Sequence, residues 1–314
     1  MNPDILRKCW FLAGPTASGK SATALELARR IDGEILSMDS MAIYRGMDIG
    51  TAKATKNEQR EVPHHLIDIV DPQQAFSVSD YVVAAETVAT DVLSGGRIPL
   101  FVGGTGLYLR SLLRGVFEGP EADWEFRRDL ERKCKELGND WLHSELRKFD
   151  EQTAARLHPN DIRRVIRAIE VHHVTGQPLS TMQQQTPPNE NDMPPLVCWL
   201  DPPREWLHER INRRVDEMMR AGLLEETQRL LSQTPPPGRT ARQALGYREI
   251  IAHIEDSVPL EVAVEQIKTG TRQFAKRQYT WFRNLEECIS VPLKQNSNAV
   301  DLADVLVAMG ESRS

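Results

Sequence analysis

Eight residues, Gly14-Pro-Thr-Ala-Ser-Gly-Lys-Ser21, constrain this chain more than any other stretch. They fit the pattern G-x-x-x-x-G-K-[ST] and stand between an apolar run, Cys9 to Ala13, and an amphipathic stretch, Ser21 to Ile31. Glycines let successive backbone N–H groups curl toward one point, and the positive end of the following helix faces the same point. Gly14, Pro15, Thr16, Ala17, Ser18, Gly19, Lys20 and Ser21 are therefore candidates for diphosphate or nucleotide binding. Lys20 supplies a point charge and Ser21 a ligand for Mg²⁺. The loop identifies a phosphate, not a reaction. Kinases, ATP-binding proteins, GTPases and diphosphate-using transferases all carry it. The guanine signature N-K-x-D is absent from the chain.

Around this loop, strand-like and helix-like stretches alternate. Strands are expected at Cys9 to Ala13, Glu34 to Met38 and Ile98 to Val102, and helices at Ser21 to Ile31, Val78 to Leu93 and Gly106 to Leu113. That alternation predicts an α/β fold, a doubly wound parallel sheet with ligands at the carboxyl ends of its strands. From about Pro120 to Gln185 the pattern becomes helical and charged, with Asp161 capping a helix to Val174. A proline-rich polar stretch, Thr186 to Pro195, reads as a linker, and Val197 to Leu200 as a strand rejoining the sheet. Helices are expected over Arg204 to Ala221, Leu223 to Ser232, Arg242 to Ile254 and Leu260 to Asn284. The organisation is thus a P-loop core, 1–118 with 196–314, carrying a helical insertion, 119–195, and additional C-terminal helices. The tail Ala299 to Met309 carries no readable function.

Composition excludes several classes. The apolar share of 40% and charged share of 27% are those of a globular chain. No apolar run approaches the roughly 20 residues of a membrane span, and no cleavable leader is read before the glycine loop. The 4 cysteines are scattered, without a C-x-x-C pair, and the pairs His64-His65 and His172-His173 lack metal-ligand spacing. The reducing cytoplasm is the simplest setting for such cysteines, and a monomer is expected. A net charge of −6 argues weakly against a nucleic-acid partner, yet basic residues cluster locally. Arg163, Arg164 and Arg167 share one helix, and Arg272, Lys276, Arg277 and Arg283 interleave with Tyr279, Trp281 and Phe282 in a stretch without acids. Such patterns position RNA through phosphates and stacking, although the second equally describes an amphipathic core helix.

Asp39 ends the second strand beside the phosphate loop. Its carboxylate is suited to holding Mg²⁺ through water, to acting as a general base, or to capping a turn. Arg214, within Arg210-Ile-Asn-Arg-Arg-Val215, is the candidate arginine for stabilising charge on a leaving phosphate, the alternative being a solvated charge on a helix. On these residues alone, a small-molecule kinase and an ATP-binding regulatory module remain open beside a transferase.

Further motifs narrow the choice. The loop is followed by Asp39-Ser-Met-Ala-Ile-Tyr-Arg-Gly-Met-Asp-Ile-Gly-Thr-Ala-Lys53, Val62-Pro-His-His-Leu-Ile-Asp68 and Gly103-Gly-Thr-Gly-Leu-Tyr108. Then come His158-Pro-Asn-Asp-Ile-Arg-Arg-Val-Ile-Arg-Ala-Ile-Glu170, Ala244-Leu-Gly-Tyr-Arg-Glu249 and Thr271-Arg-Gln-Phe-Ala-Lys-Arg-Gln-Tyr-Thr-Trp-Phe-Arg283. In this order, from residue 10 to about 285, they resemble the isopentenyl-tRNA transferase family, the tRNA dimethylallyltransferases of bacterial type. The zinc finger that ends some eukaryotic members is missing.

The resemblance implies transfer of a dimethylallyl group from dimethylallyl diphosphate to the exocyclic N6 amine of the adenosine at tRNA position 37, in the anticodon stem-loop. It implies that the phosphate loop holds the diphosphate and that Asp39 is the general base. Thr105 belongs to the catalytic set and also contacts tRNA. The tRNA-contacting set further comprises Asp39, Ser40, Met41 and Ala42, with Arg127, Arg163, Arg164, Val165, Ile166 and Arg167 of the insertion. Arg242, Tyr247, Arg272, Lys276 and Arg277 complete it. The chain departs from the family at Ala42, where glutamine is usual, and at Ala54, where proline is frequent.

Overall fold

The computed structural model describes residues 1–117, 119–183 and 185–312. They form two compact units, Met1–Arg114 with Pro187–Ser314, and Gly115–Thr186. Glu118, at the expected boundary, lies outside the described residues. The stretch Pro187 to Pro195, expected with the insertion, belongs to the first unit.

That unit is built on six parallel strands: β1 (Trp10–Ala13), β2 (Gly33–Met38), β3 (His64–His65), β4 (Ile98–Gly103), β5 (Leu196–Asp201) and β6 (Ile289–Pro292). Their order is β3-β2-β4-β1-β5-β6. β1 lies inside the sheet, which explains its unbroken apolar run Trp-Phe-Leu-Ala, buried at every position. Alternate side chains divide between the two faces. Phe11 and Ala13 join Leu36, Met38, Phe101 and Trp199 on one face, beneath Tyr81 and Ala85 of the Val78–Ser94 helix and Leu109 of the Gly106–Arg114 helix. Trp10 and Leu12 join Ile35, Leu100 and Leu200 on the other, beneath Ala24 and Leu27 of the Lys20–Arg30 helix.

The C-terminal tail completes this second face. Asn298 caps a helix, Ala299–Glu311, whose Ala303 and Leu306 are buried in the same cluster. Arg30 Nε reaches Asp304 at 2.7 Å. A Cβ on Gly310 would lie 2.1 Å from the Trp10 ring, so glycine is what lets the helix approach the sheet.

Two strands are absent from the sequence reading. β3 has only two residues, too few for a periodic signal, and β6 is a short strand at the sheet's margin ending in Pro292. The single helix expected over Arg242 to Ile254 is two helices, Arg239–Arg242 and Tyr247–Asp256. Gly246 between them takes φ 94°, and Glu249 returns to bond its amide at 2.9 Å, starting the second helix afresh.

The inserted unit is helical throughout its described elements. Its core joins Leu130 and Cys134 of helix Trp124–Leu137, Leu142 and Leu146 of helix Asn139–Arg147, and Val165, Ile166 and Ile169 of helix Ile162–Thr175.

Candidate active site

Three loops leave the carboxyl ends of adjacent strands β1, β4 and β2, and all three supply the site. Gly19 takes φ 94° as the residue before the Lys20–Arg30 helix, a conformation that turns the phosphate loop into the helix without a Cβ penalty. Lys20 Nζ folds back to the Pro15 carbonyl at 3.1 Å. Arg210 fastens the outer side of the loop, its Nε donating to the Ala17 carbonyl at 2.8 Å.

Asp39 Oδ1 accepts from the amides of Met41 at 2.8 Å and Ala42 at 3.3 Å, so one oxygen fixes the turn. Thr105 joins the second glycine loop to this turn. Its amide donates to the Met38 carbonyl at 3.1 Å, and its Oγ1 accepts from the Ser40 amide at 3.2 Å.

A cavity of about 570 Å³ collects Lys20, Ser21, Asp39, Thr105 and Arg214. A second, of about 770 Å³, is lined by Lys20, Ser21, Lys53, Arg210, Arg213 and Arg214. Lys20, Ser21, Lys53 and Arg214 line both, so the phosphate loop borders two spaces. Burial, then the neighbouring Arg214, lowers the Lys20 ammonium to about 8, while Asp39 opposes the shift. Burial likewise lowers Arg214, again opposed by Asp39. Among the described residues no carboxylate forms an ion pair with either cation. Two partly buried positive groups beside one carboxylate are thus available to an anionic ligand.

The other expected residues divide. Ser40, Met41, Ala42, Tyr247 and Arg277 line the smaller cavity. Ala42 is buried and contributes backbone to the Asp39 turn. Tyr247 is also buried, and its hydroxyl donates to Glu226 at 2.6 Å. Arg242 pairs with Glu255 at 2.5 Å and does not line that cavity, although Gln243 and Ala244 beside it do. Arg272 bonds Asn212 at 2.6 Å and Thr269 at 2.9 Å, and Lys276 is exposed.

In the insertion, Val165 and Ile166, expected within the tRNA-contacting stretch, have their side chains in the core and leave only their backbone to such a contact. The helix Ile162–Thr175 turns both inward, onto Leu142 and Leu146. Arg127 makes a bidentate pair with the fully buried Glu170, both bonds 2.7 Å. Arg167 also holds Glu170, and donates to the Pro120 carbonyl at 2.9 Å. Arg164 remains largely exposed beside Asp161, 3.3 Å away.

Three residues that build the site escaped the sequence reading. Gln278 bridges the phosphate loop and the second glycine loop. Buried Glu226 accepts from the amides of Asp48, Ile49 and Gly50, holding the segment beside Lys53. Lys53 is fixed by Asp48 at 2.6 Å, Asp68 at 2.5 Å and the Tyr44 carbonyl at 2.8 Å. Lys53, Asp68 and Gln278 all stand within the motifs of the sequence, but nothing local marks their partners. Gln278 and Glu226 join segments more than a hundred residues apart.

A parallel sheet with a phosphate loop after one interior strand and a carboxylate after another defines a P-loop α/β protein that sets an anion site against a candidate base. A family model described as IPP transferase matches residues 42–285, and the chain belongs to that family. It is 48% identical to a tRNA dimethylallyltransferase of Geobacter metallireducens over 281 residues, 90% of this chain and 91% of the relative. It is 44% identical to one of Caldanaerobacter subterraneus over 276 residues, covering 87% and 88%. The crystal structure of the full-length tRNA isopentenylpyrophosphate transferase of Bacillus halodurans superposes with a TM-score of 0.70 at 38% identity, covering 98% of both chains. A eukaryotic dimethylallyltransferase acting on tRNA gives 0.75 at 28% identity, covering 96% of this chain and 77% of that one.

Proposed function

We propose that this chain is a tRNA-modifying prenyltransferase. It moves a dimethylallyl group from dimethylallyl diphosphate to the N6 amine of adenosine 37 in the anticodon stem-loop and releases diphosphate. The relatives' activity supports the reaction class. The observation that carries the chemistry is the grouping of Lys20, Arg214 and Asp39 on one cavity, with no carboxylate paired to either cation among the described residues.

The phosphate loop receives the diphosphate. As the allylic C–O bond breaks, charge grows on the leaving oxygens, and Lys20, Arg214 and the loop amides stabilise it. The exocyclic amine forms the C–N bond and passes its proton to Asp39, which returns it to solvent. Ser21 and Asp39 are the oxygen donors that fit Mg²⁺, which keeps most of its waters and takes one or two protein oxygens beside substrate phosphates. When bound, the ion would neutralise part of the diphosphate charge. The adenine leaves its stack to reach this cavity, as bases do for other modifying enzymes. The enzyme acts as a monomer in the cytoplasm, where its RNA substrate is found.

Mass analysis of tRNA incubated with the chain and dimethylallyl diphosphate tests the reading. One adenosine gains a C₅H₈ unit without ATP. Phosphate added at the expense of ATP would identify a kinase, and an unaltered tRNA with bound ATP a regulatory module.

A further inference from the structure

Gln278 has no part in the reaction described above. It comes from the Leu260–Arg283 helix and is only 4% exposed. Its Oε1 accepts from the Thr16 amide at 2.9 Å, and its Nε2 donates to the Gly104 carbonyl at 2.9 Å. An amide N–H only donates and a carbonyl only accepts, so these partners fix the orientation of the carboxamide. Thr16 belongs to the phosphate loop. Gly104 precedes Thr105, whose hydroxyl holds the Ser40 amide next to Asp39. One continuous series of bonds therefore connects the loop for the leaving group to the turn for the base. Gly104 is fitted to this contact, since a Cβ there would stand 2.2 Å from Gln278 Nε2.

We propose that Gln278 is a positioning residue for the transfer. It sets the separation between the phosphate loop and the Asp39 turn, and so between the allylic carbon and the amine that attacks it. The proposal rests on the transferase reading. Its physical basis is the steepness of reactivity with geometry: a misplacement of about 1 Å costs on the order of 10²-fold in rate.

Wild-type enzyme that transfers the prenyl group establishes the reading separately and sets the reference. Gln278→Leu keeps the volume and removes both bonds. Its saturating single-turnover rate falls on the order of 10–100-fold, with diphosphate affinity within about threefold of wild type. Gln278→Glu keeps the acceptor for Thr16 but sets a carboxylate against the Gly104 carbonyl. Protonation restores a donor, so its rate relative to wild type recovers as pH falls through the carboxyl range. Gly104→Ala presses on the same contact from the other side, and its loss is not additive with that of Gln278→Leu. A folded Gln278→Leu with a rate within about twofold of wild type overturns the proposal, as does a diphosphate affinity that falls as far as the rate. A Gln278→Glu deficit that is flat with pH overturns it too. Should Gln278→Leu fail to fold, the Gln278→Glu profile decides. Wild-type enzyme that transfers nothing overturns the transferase reading, and this proposal with it, a result seen without any variant.

Discussion

Asp39 divides its work between two oxygens. Oδ1 holds the turn through Met41 and Ala42, while Oδ2 has no hydrogen-bond donor among the described residues and is the atom left to take a proton. Asp39→Asn preserves the turn bonds and removes the base, so it should lower the transfer rate by about 10²–10⁴-fold. Its thermal midpoint should match wild type and tRNA binding should stay within a few-fold. Near-normal turnover would take Asp39 out of the mechanism. Lys20 gives a pH signature. Its folded value of about 8 lies below the ordinary 10.5, so the unfolded chain holds this proton more tightly. Lys20 therefore penalises the folded state below about 8, and the penalty fades as pH rises from there to 10.5. Bound diphosphate favours the ammonium form, so binding at pH 9 should take up a proton and weaken as pH rises. Calorimetry in buffers of different ionisation enthalpy should show that uptake in wild type and its loss in Lys20→Met.

The helix Ile162–Thr175 carries different work on its two faces. Arg164 is solvent-facing, whereas Arg167 is bound to Glu170, with Arg127 on the same carboxylate. Burial pushes the Glu170 carboxyl up, but the bonds from Arg127, Arg167 and the Asp123 amide more than offset this, and the net displacement is downward. Arg164→Ala should flatten the salt dependence of tRNA binding by about one unit of slope. Arg167→Ala should instead destabilise the inserted unit, since it weakens a buried charge cluster. Filter binding at several salt concentrations, with thermal melts of both variants, separates the two roles. An unchanged slope in Arg164→Ala would exclude it from the RNA contact. The same helix shows where sequence reading stops. Its extent was legible, because Asp161 marks its start and Gly176 its end. The inward turn of Arg167 was not, because it depends on Glu170 and a carbonyl at Pro120, a tertiary arrangement without a local pattern. The site follows the same division. The phosphate loop and Asp39 announce themselves by local geometry, whereas Gln278 acts through partners 262 and 174 residues away.

Within the sheet, chain order and spatial order disagree. β1 is among the earliest elements, yet its two neighbours, β4 and β5, begin at Ile98 and Leu196, on either side of the inserted unit. During synthesis one edge of β1 therefore stays open until the insertion has been made. The insertion has its own core within Gly115–Thr186 and needs no later residue to bury it. A nascent chain halted before Leu196 should protect the insertion from protease while leaving the phosphate-loop strand digestible. A chain extended past Glu311 should protect both. The unpaired edge is a template for aggregation in the interval. Slow translation through the proline-rich stretch before β5 would lengthen that exposure, which makes the tempo of synthesis there a determinant of how much active protein a cell obtains.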